Sequence, residues 1–236
     1  MLEENKIMKN FSPNLSKESH FFKFHGNVAG VDEAGVGPLA GPVVAAAVVL
    51  DVNKISRAGK RRGWWSGVKD SKMLSAKKRE EFAREIYKNA LSVGIAHASV
   101  EEIDRLNILR ARLLAMKRAV ESLKTVPGFV LIDGNKKIPG IDFPHEAIVK
   151  GDMKVLSIAC ASILAKVTRD GICGRLHKAY PEYGFDKHKG YPTKMHFARL
   201  KQFGPCAVHR KSFSPVKILL EDLGETFSYV NSTIIK

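Results

Sequence analysis

Three apolar stretches of this chain each run into acidic residues. That recurrence limits what the chain can fold into more than any other feature. "NVAGVD" ends in Asp32 with Glu33 next, "GFVLIDGN" carries Asp133, and "HEAIVKGD" ends in Asp152. Each reads as a short buried strand bounded by glycine, proline or an acid. In an open α/β sheet the ends of neighbouring strands converge on one crevice. Carboxylates gathered there repel one another unless cations neutralise them, and clusters of oxygen ligands suit hard ions such as Mg²⁺ or Mn²⁺.

The stretch "AGVDEAGVGPLAGP", residues 29–42, admits more than one reading. Gly35, Gly37 and Ala40 fit the spacing of a dinucleotide-binding loop. That loop must open a helix, whereas here Pro38 and Pro42 interrupt it and the valine-rich "GPVVAAAVVL" follows. Two carboxylates would also repel a pyrophosphate. No G-x-x-x-x-G-K-[ST] loop is present. A tight antiparallel hairpin with solvated acids and a metal site aimed at nucleic acid both remain compatible with the residues.

The rest of the chain alternates helix and strand. "SAKKREEFAREIYKNAL" predicts a helix with Ser75 as N-cap, and "SVGIAHASV" a strand. "VEEIDRLNILRARLLAMKRAVESL" predicts one long helix with a core stripe of Val100, Ile103, Leu106, Leu109, Leu113, Met116, Val120 and Leu123. "SIACASILAKVTRDGICGRLHKAY" predicts a helix lined with small residues. The basic, aromatic stretch 183–213 predicts a short helix between loops, and "PVKILLEDLGETF" a last amphipathic segment. Residues 1–26 read as a loosely held extension. "RAGKRRGWWSGVKDSKML" reads as a basic loop in which at least one of Trp64 and Trp65 packs inward. Strands and helices in this order predict an α/β fold with a sheet of mixed direction.

Lys and Arg number 39 against 24 Asp and Glu, a formal charge of +15. Such an excess points to a polyanionic partner, with nucleic acid ahead of a membrane surface. A basic surface around an acidic cluster is what a metal-dependent nuclease needs, because two ions can activate water and stabilise the leaving oxygen of a phosphodiester. Cys160, Cys173 and Cys206 lie far apart with no C-x-x-C pair, so they read as free thiols in a reducing compartment. No apolar run has the length of a membrane span and no secretory signal is evident, which predicts a soluble cytoplasmic protein.

In order and spacing, "GVDEAGVGPLAGPVVAAAVVL", "KDSKMLS", "LIDGN", "AIVKGD", "SIACASILAKVTRD" and "YGFDKHKGYPTKMH" resemble bacterial ribonuclease HII, the type 2 ribonuclease H, over about residues 27–213. The resemblance implies a ribonuclease H-like mixed five-stranded sheet flanked by helices, with a small helical C-terminal portion. It divides the chain into an extension (1–26), a catalytic domain (27–190) and a substrate-gripping segment (191–236). It implies an endonuclease that hydrolyses RNA in RNA–DNA hybrids. It also implies cleavage 5′ to single ribonucleotides in duplex DNA, leaving 3′-hydroxyl and 5′-phosphate ends, in DNA repair. Asp32, Glu33, Asp133 and Asp152 match the family's acidic positions and would hold a two-metal site of Mn²⁺ or Mg²⁺, with water as nucleophile.

The family's Gly-Arg-Gly loop falls on Gly35, Val36 and Gly37, so valine replaces an arginine that contacts substrate. Lys69, Ser71 and Lys72 match a loop read as phosphate-binding, and Tyr191 a tyrosine that stacks beside the ribonucleotide. His188, Lys189, His209 and Arg210 are read as contacts to the nucleic-acid backbone, and Asp170 as a salt-bridging residue on its helix. A monomer with no membrane partner is expected. The alternative reading is a hybrid-binding protein of the same fold, weakened in junction recognition or catalysis by Val36. A sibling type that cuts only longer hybrids often carries an additional N-terminal domain, for which residues 1–26 are too short.

Overall fold

The computed structural model describes residues 12–58 and 63–222. The tail from residue 223, the first eleven residues and part of the basic loop before Trp64 lie outside the described residues. A five-stranded sheet has the order β3-β2-β1-β4-β5, built from β1 (Val28–Ala34), β2 (Val43–Val49), β3 (Ser92–Ala98), β4 (Phe129–Asp133) and β5 (His145–Ile148). β1 pairs antiparallel with β2, forming the expected hairpin, and parallel with β4, which in turn runs parallel to β5. The sheet is therefore mixed, as expected. β2 is buried at every position, and β1 is buried until its last two residues. This is why both read as continuous apolar runs without alternation.

The chain clusters into two compact units that interleave in sequence, where the sequence reading set boundaries at 26 and 190. The first takes residues up to Ala34, Val44–His97 and Arg112–Thr168. The second takes Gly35–Val43, Ala98–Ala111 and the residues from Arg169 on. In the first unit the N-terminal part of a long helix packs on β1; numbered in chain order, this helix (Leu156–Ala179) is α6. Its small residues Ala159, Ala161 and Ala165 are fully buried. A side chain at Gly30 of β1 would run into the backbone of Ser157 and Ile158, so helix and strand meet at a distance that only glycine permits. Trp64 and Trp65 pack against this core, edge to face with ring centroids 6.0 Å apart.

The extension is not loose where it is described. Residues Ser16–His25 form a helix, α1, whose Phe21 stacks on Phe129 with ring centroids 3.8 Å apart. Glu18 is 0 % exposed, and its Oε1 accepts the Ser157 N–H at 2.7 Å. Asn14 joins in, its carbonyl accepting the Leu156 N–H at 3.1 Å. The extension thus serves as the N-terminal cap of α6, where a carboxylate also meets the positive end of the helix dipole. Sequence reasoning missed α1 because its apolar residues show no clean period.

Two further elements depart from expectation. A short helix α2 (Val52–Ala58) precedes the basic loop, and the long helix is broken in two: α4 (Val100–Leu106) and α5 (Ile108–Glu121). The break is Asn107, in the left-handed region at φ 66°, whose Oδ1 accepts the Arg110 N–H at 3.1 Å. Asparagine tolerates that conformation and caps helices well, so one residue ends α4 and starts α5. The stripe loses phase there, and Leu109, expected in the core, is 46 % exposed. Between the hairpin and α4, helix α3 (Ala76–Asn89) forms as predicted, with Ser75 accepting the Lys78 N–H at 3.3 Å.

In the second unit, short helices α7 (Phe185–His188) and α8 (Lys194–Phe203) frame a small core. That core comprises Leu39, Ala40, Tyr183, Phe185, Leu200 and Val216. Residues 214–222 are helical, in keeping with the last predicted segment. No helix among the described residues is long and apolar enough to cross a membrane.

Burial raises the Glu18 carboxyl from 4.5 to about 6. A raised folded pKa gives a stability contribution that is complete below pH 4.5 and lost as pH rises through about 6. Glu18→Gln should therefore match wild type near pH 4 and exceed it by about 2 kcal/mol at pH 8, as read by denaturant unfolding at both pH values. Equal stability of the two proteins at pH 8 would contradict this.

Candidate active site

The first unit brings the four predicted acids under one another's electrostatic influence. The parallel register of β1 and β4, with Val31 opposite Ile132, sets Asp32 and Asp133 at the same end of adjacent strands. Glu33 follows on β1. Asp152 does not sit on β5 itself but in the turn Gly151–Met153 beyond it. Asp133 builds that turn: its Oδ1 accepts the Gly151 N–H at 2.7 Å and the Asp152 N–H at 3.4 Å. One acid thus orients the segment that carries another.

Asp32 is 5 % exposed. Burial first, then the charges of Glu33 and Asp133, push its carboxyl well above the usual range. The Ser162 hydroxyl and the Glu33 N–H, the latter donating to Asp32 Oδ1 at 2.7 Å, act against this. Glu33 is raised by burial, against the pull of Arg112, whose Nη1 lies 3.0 Å from Glu33 Oε1. Asp152 is raised to about 6 by burial, then by Asp133 and Asp70, with Lys72 opposing. Partial desolvation lowers Lys72, but Asp70, Asp152, Asp32 and Asp133 outweigh it and hold the ammonium above its ordinary pKa.

The donor set is all oxygen, and Glu33 Oε2 is buried without a hydrogen-bond partner. Buried carboxylates that raise one another's pKa, with one oxygen unmatched, suit a hard cation. Among the described residues no group of three or more His, Cys, Asp or Glu side chains is arranged to hold a metal ion.

The predicted substrate residues divide between surface and interior. Lys72 reaches the acids, and Lys69 is exposed on the same loop. Ser71 is only 4 % exposed, with its Oγ 3.0 Å from Ser162 Oγ, so it supports the serine that hydrogen-bonds Asp32. In the second unit Tyr191 is 41 % exposed, and Gly37 is exposed beside its ring.

Sequence reasoning erred on His188, His209 and Arg210. They are buried and bonded internally, so they are braces rather than contacts to a nucleic-acid backbone. Lys189 is half-buried, its Nζ donating to Asp186 O at 2.8 Å. Arg112, Ser162 and Asp70 were missed. Arg112 is one of several arginines on α4 and α5, and nothing in its spacing sets it apart.

The histidines form a directed chain. The Cys206 N–H donates to His209 Nδ1 at 3.0 Å, which leaves His209 Nε2–H to donate to His196 Nε2 at 3.0 Å. His196 Nδ1–H then donates to the Tyr191 carbonyl at 3.0 Å. Each ring is used as donor on one side and acceptor on the other, which requires both to be neutral. Burial lowers both to about 4, and in His209 the neighbouring His196 adds to it. A lowered histidine pKa gives stability that is complete above pH 6.5 and lost as pH falls toward 4. His196→Gln should flatten the acid limb of unfolding free energy between those values, removing a slope on the order of 1 kcal/mol per pH unit. An unchanged acid limb would refute the neutral chain.

Comparison with known proteins supplies independent findings. Residues 29–216 match the family model described as ribonuclease HII. A ribonuclease HII from Delftia acidovorans is 56 % identical over 207 residues, covering 86 % of this chain and 83 % of that one. The solved ribonuclease H2 from Pyrococcus horikoshii OT3 superposes with a TM-score of 0.68 at 28 % identity, covering 83 % of this chain and 98 % of the other. Bst-RNase HIII, solved in complex with Mn²⁺, shares the fold with a TM-score of 0.62 at 19 % identity, covering 83 % of this chain and 69 % of its own.

Proposed function

Because the chain belongs to the ribonuclease HII family, and so is a ribonuclease H, we propose that it cleaves duplex DNA on the 5′ side of a single embedded ribonucleotide, as well as RNA in RNA–DNA hybrids. The observation that carries this reading is the coupling of Asp32, Glu33, Asp133 and Asp152 in a chain of charge +15. The basic surface holds a polyanion, and the acids supply the hydrolytic centre. DNA repair is the process such a cut serves. A cytoplasmic monomer is the form we propose.

Asp32, Glu33, Asp133 and Asp152 would hold Mn²⁺ or Mg²⁺. When bound, such ions activate water and stabilise the leaving oxygen of an in-line displacement. The chain's own groups do the rest. Asp133 fixes the turn of Asp152, Ser162 holds Asp32, and Arg112 holds one oxygen of Glu33 while the other stays unpaired. Water attacks phosphorus and the 3′-oxygen departs, leaving 3′-hydroxyl and 5′-phosphate ends. No side chain need become covalently attached, and Cys160 and Cys173 are buried. Recognition of the ribonucleotide is assigned to Gly35, Val36, Gly37 and Tyr191, with Lys69 and Lys72 toward phosphate. Tyrosine stacking is tolerant of base identity, and backbone groups of a glycine loop can meet a 2′-hydroxyl.

A DNA duplex with one ribonucleotide, incubated with Mn²⁺, Mg²⁺ or chelator, tests the reading. Metal-dependent cleavage 5′ to the ribonucleotide is expected, falling by more than about a hundredfold in Asp32→Asn. Cleavage that persists in chelator, or binding without any cleavage, would replace the reading with another; the second result favours a hybrid-binding protein. Val36→Arg restores a guanidinium to the loop and should tighten binding of that duplex several-fold by fluorescence anisotropy. Unchanged binding would mean that the loop acts through its backbone alone.

A further inference from the structure

Arg169 and Arg210 are 1 % and 0 % exposed, and both direct their guanidinium groups at main-chain carbonyls of the second unit. Arg169 donates to Pro42 O at 3.2 Å, Ala40 O at 3.1 Å and Lys189 O at 2.9 Å. Arg210 donates to Gly41 O at 2.9 Å, Val36 O at 3.0 Å and Gly35 O at 2.6 Å. Burying a guanidinium costs several kcal/mol unless its donors are matched, so an apolar core would be the cheaper way to hold a loop. What the arginines provide is directional control of the carbonyls.

Their targets are not scattered. Arg210 gives its side-chain hydrogen bonds to the segment Gly35–Gly41, and its Cζ lies 5.0 Å from the centre of the Phe213 ring. Arg169 binds that loop and also the turn that carries Tyr191, and its Cζ lies 5.9 Å from the centre of the Tyr191 ring. Gly35, at φ 102°, presses its Cα against the Arg169 side chain, which fills the space a Cβ would need. The Tyr191 turn is held from its other side by His196 on the Tyr191 carbonyl and by His188 Nδ1, which accepts the Gly190 N–H at 3.1 Å.

We infer that Arg169 is a specificity-determining positioning residue: it sets the spacing between the Gly35–Gly37 loop and Tyr191, and through that spacing the preference for a single ribonucleotide over a continuous hybrid. This rests on the proposed recognition of embedded ribonucleotides. A lysine in its place keeps the charge but has no planar fork to span Ala40 O and Lys189 O at once. Arg210→Lys loosens one loop, whereas Arg169→Lys uncouples two.

The test compares wild type, Arg169→Lys and Arg210→Lys on a duplex with one ribonucleotide and on a continuous hybrid, with kcat and KM read separately and melting temperatures recorded. Binding without turnover is read by anisotropy in an Asp32→Asn background. Arg169→Lys is expected to lower the ratio of kcat/KM between the two substrates by about tenfold, mostly through KM, with an equal loss in anisotropy. Its loss of ratio should be absent when Tyr191→Ala is already present, as expected of residues acting together. Equal slowing on both substrates, or full additivity with Tyr191→Ala, would make Arg169 merely structural and overturn the inference. If Arg169→Lys does not fold, Arg169→Gln, which retains one carbonyl donor, is read by the same criteria. Wild type that shows no preference between the substrates would instead defeat the underlying reading, a result visible before any variant is compared.

Discussion

The burial of Asp32 beside Glu33 and Asp133 is the constraint around which the first unit is built. Carboxylates at the ends of two adjacent strands oppose folding, since burial and the neighbouring charges disfavour ionisation of Asp32 and Glu33. The surrounding structure answers with a fixed set of devices. Gly30 admits α6 close against β1, which brings Ser162 to Asp32. Arg112 meets Glu33 from α5, and Lys72 adds positive charge from its loop. α6 in turn depends on Glu18 and Asn14 for its first N–H groups. A chain of dependence thus runs from the N-terminal helix to Asp32.

The second unit solves a different problem. Its glycine loop has few side chains with which to hold a shape, so its conformation is imposed through carbonyl groups by Arg169 and Arg210. This puts Val36 in context. Its carbonyl is held by Arg210, a contact that does not involve its side chain. Shape and side-chain contact are therefore separable at this position.

Much of the fold was legible because period and punctuation agree over long stretches: the β1–β2 hairpin, α3 with its Ser75 cap, β4 and α6. The four acids were legible because strand-ending carboxylates are unusual in apolar company. What stayed hidden has specific causes. Asn107 breaks a helix without breaking its apolar count. Glu18 looks like any charged residue of a polar extension until α6 is in place. His209 and Arg210 read as surface cations because residue type alone cannot show that carbonyls and a neighbouring histidine meet them inside. The roles proposed for Tyr191 and the glycine loop come from the resemblance, and no spacing rule suggests them.

Under the proposed function, Asp32, Glu33 and Asp152, whose carboxyls burial holds above their ordinary range, give up protons when a divalent cation binds. Calorimetric titration of the free protein with Mn²⁺ near pH 6, repeated in buffers of different ionisation enthalpy, measures this without any substrate. Binding accompanied by proton release, and lost in Asp32→Asn, is the predicted result. Binding without proton release, or binding unchanged in Asp32→Asn, would contradict it.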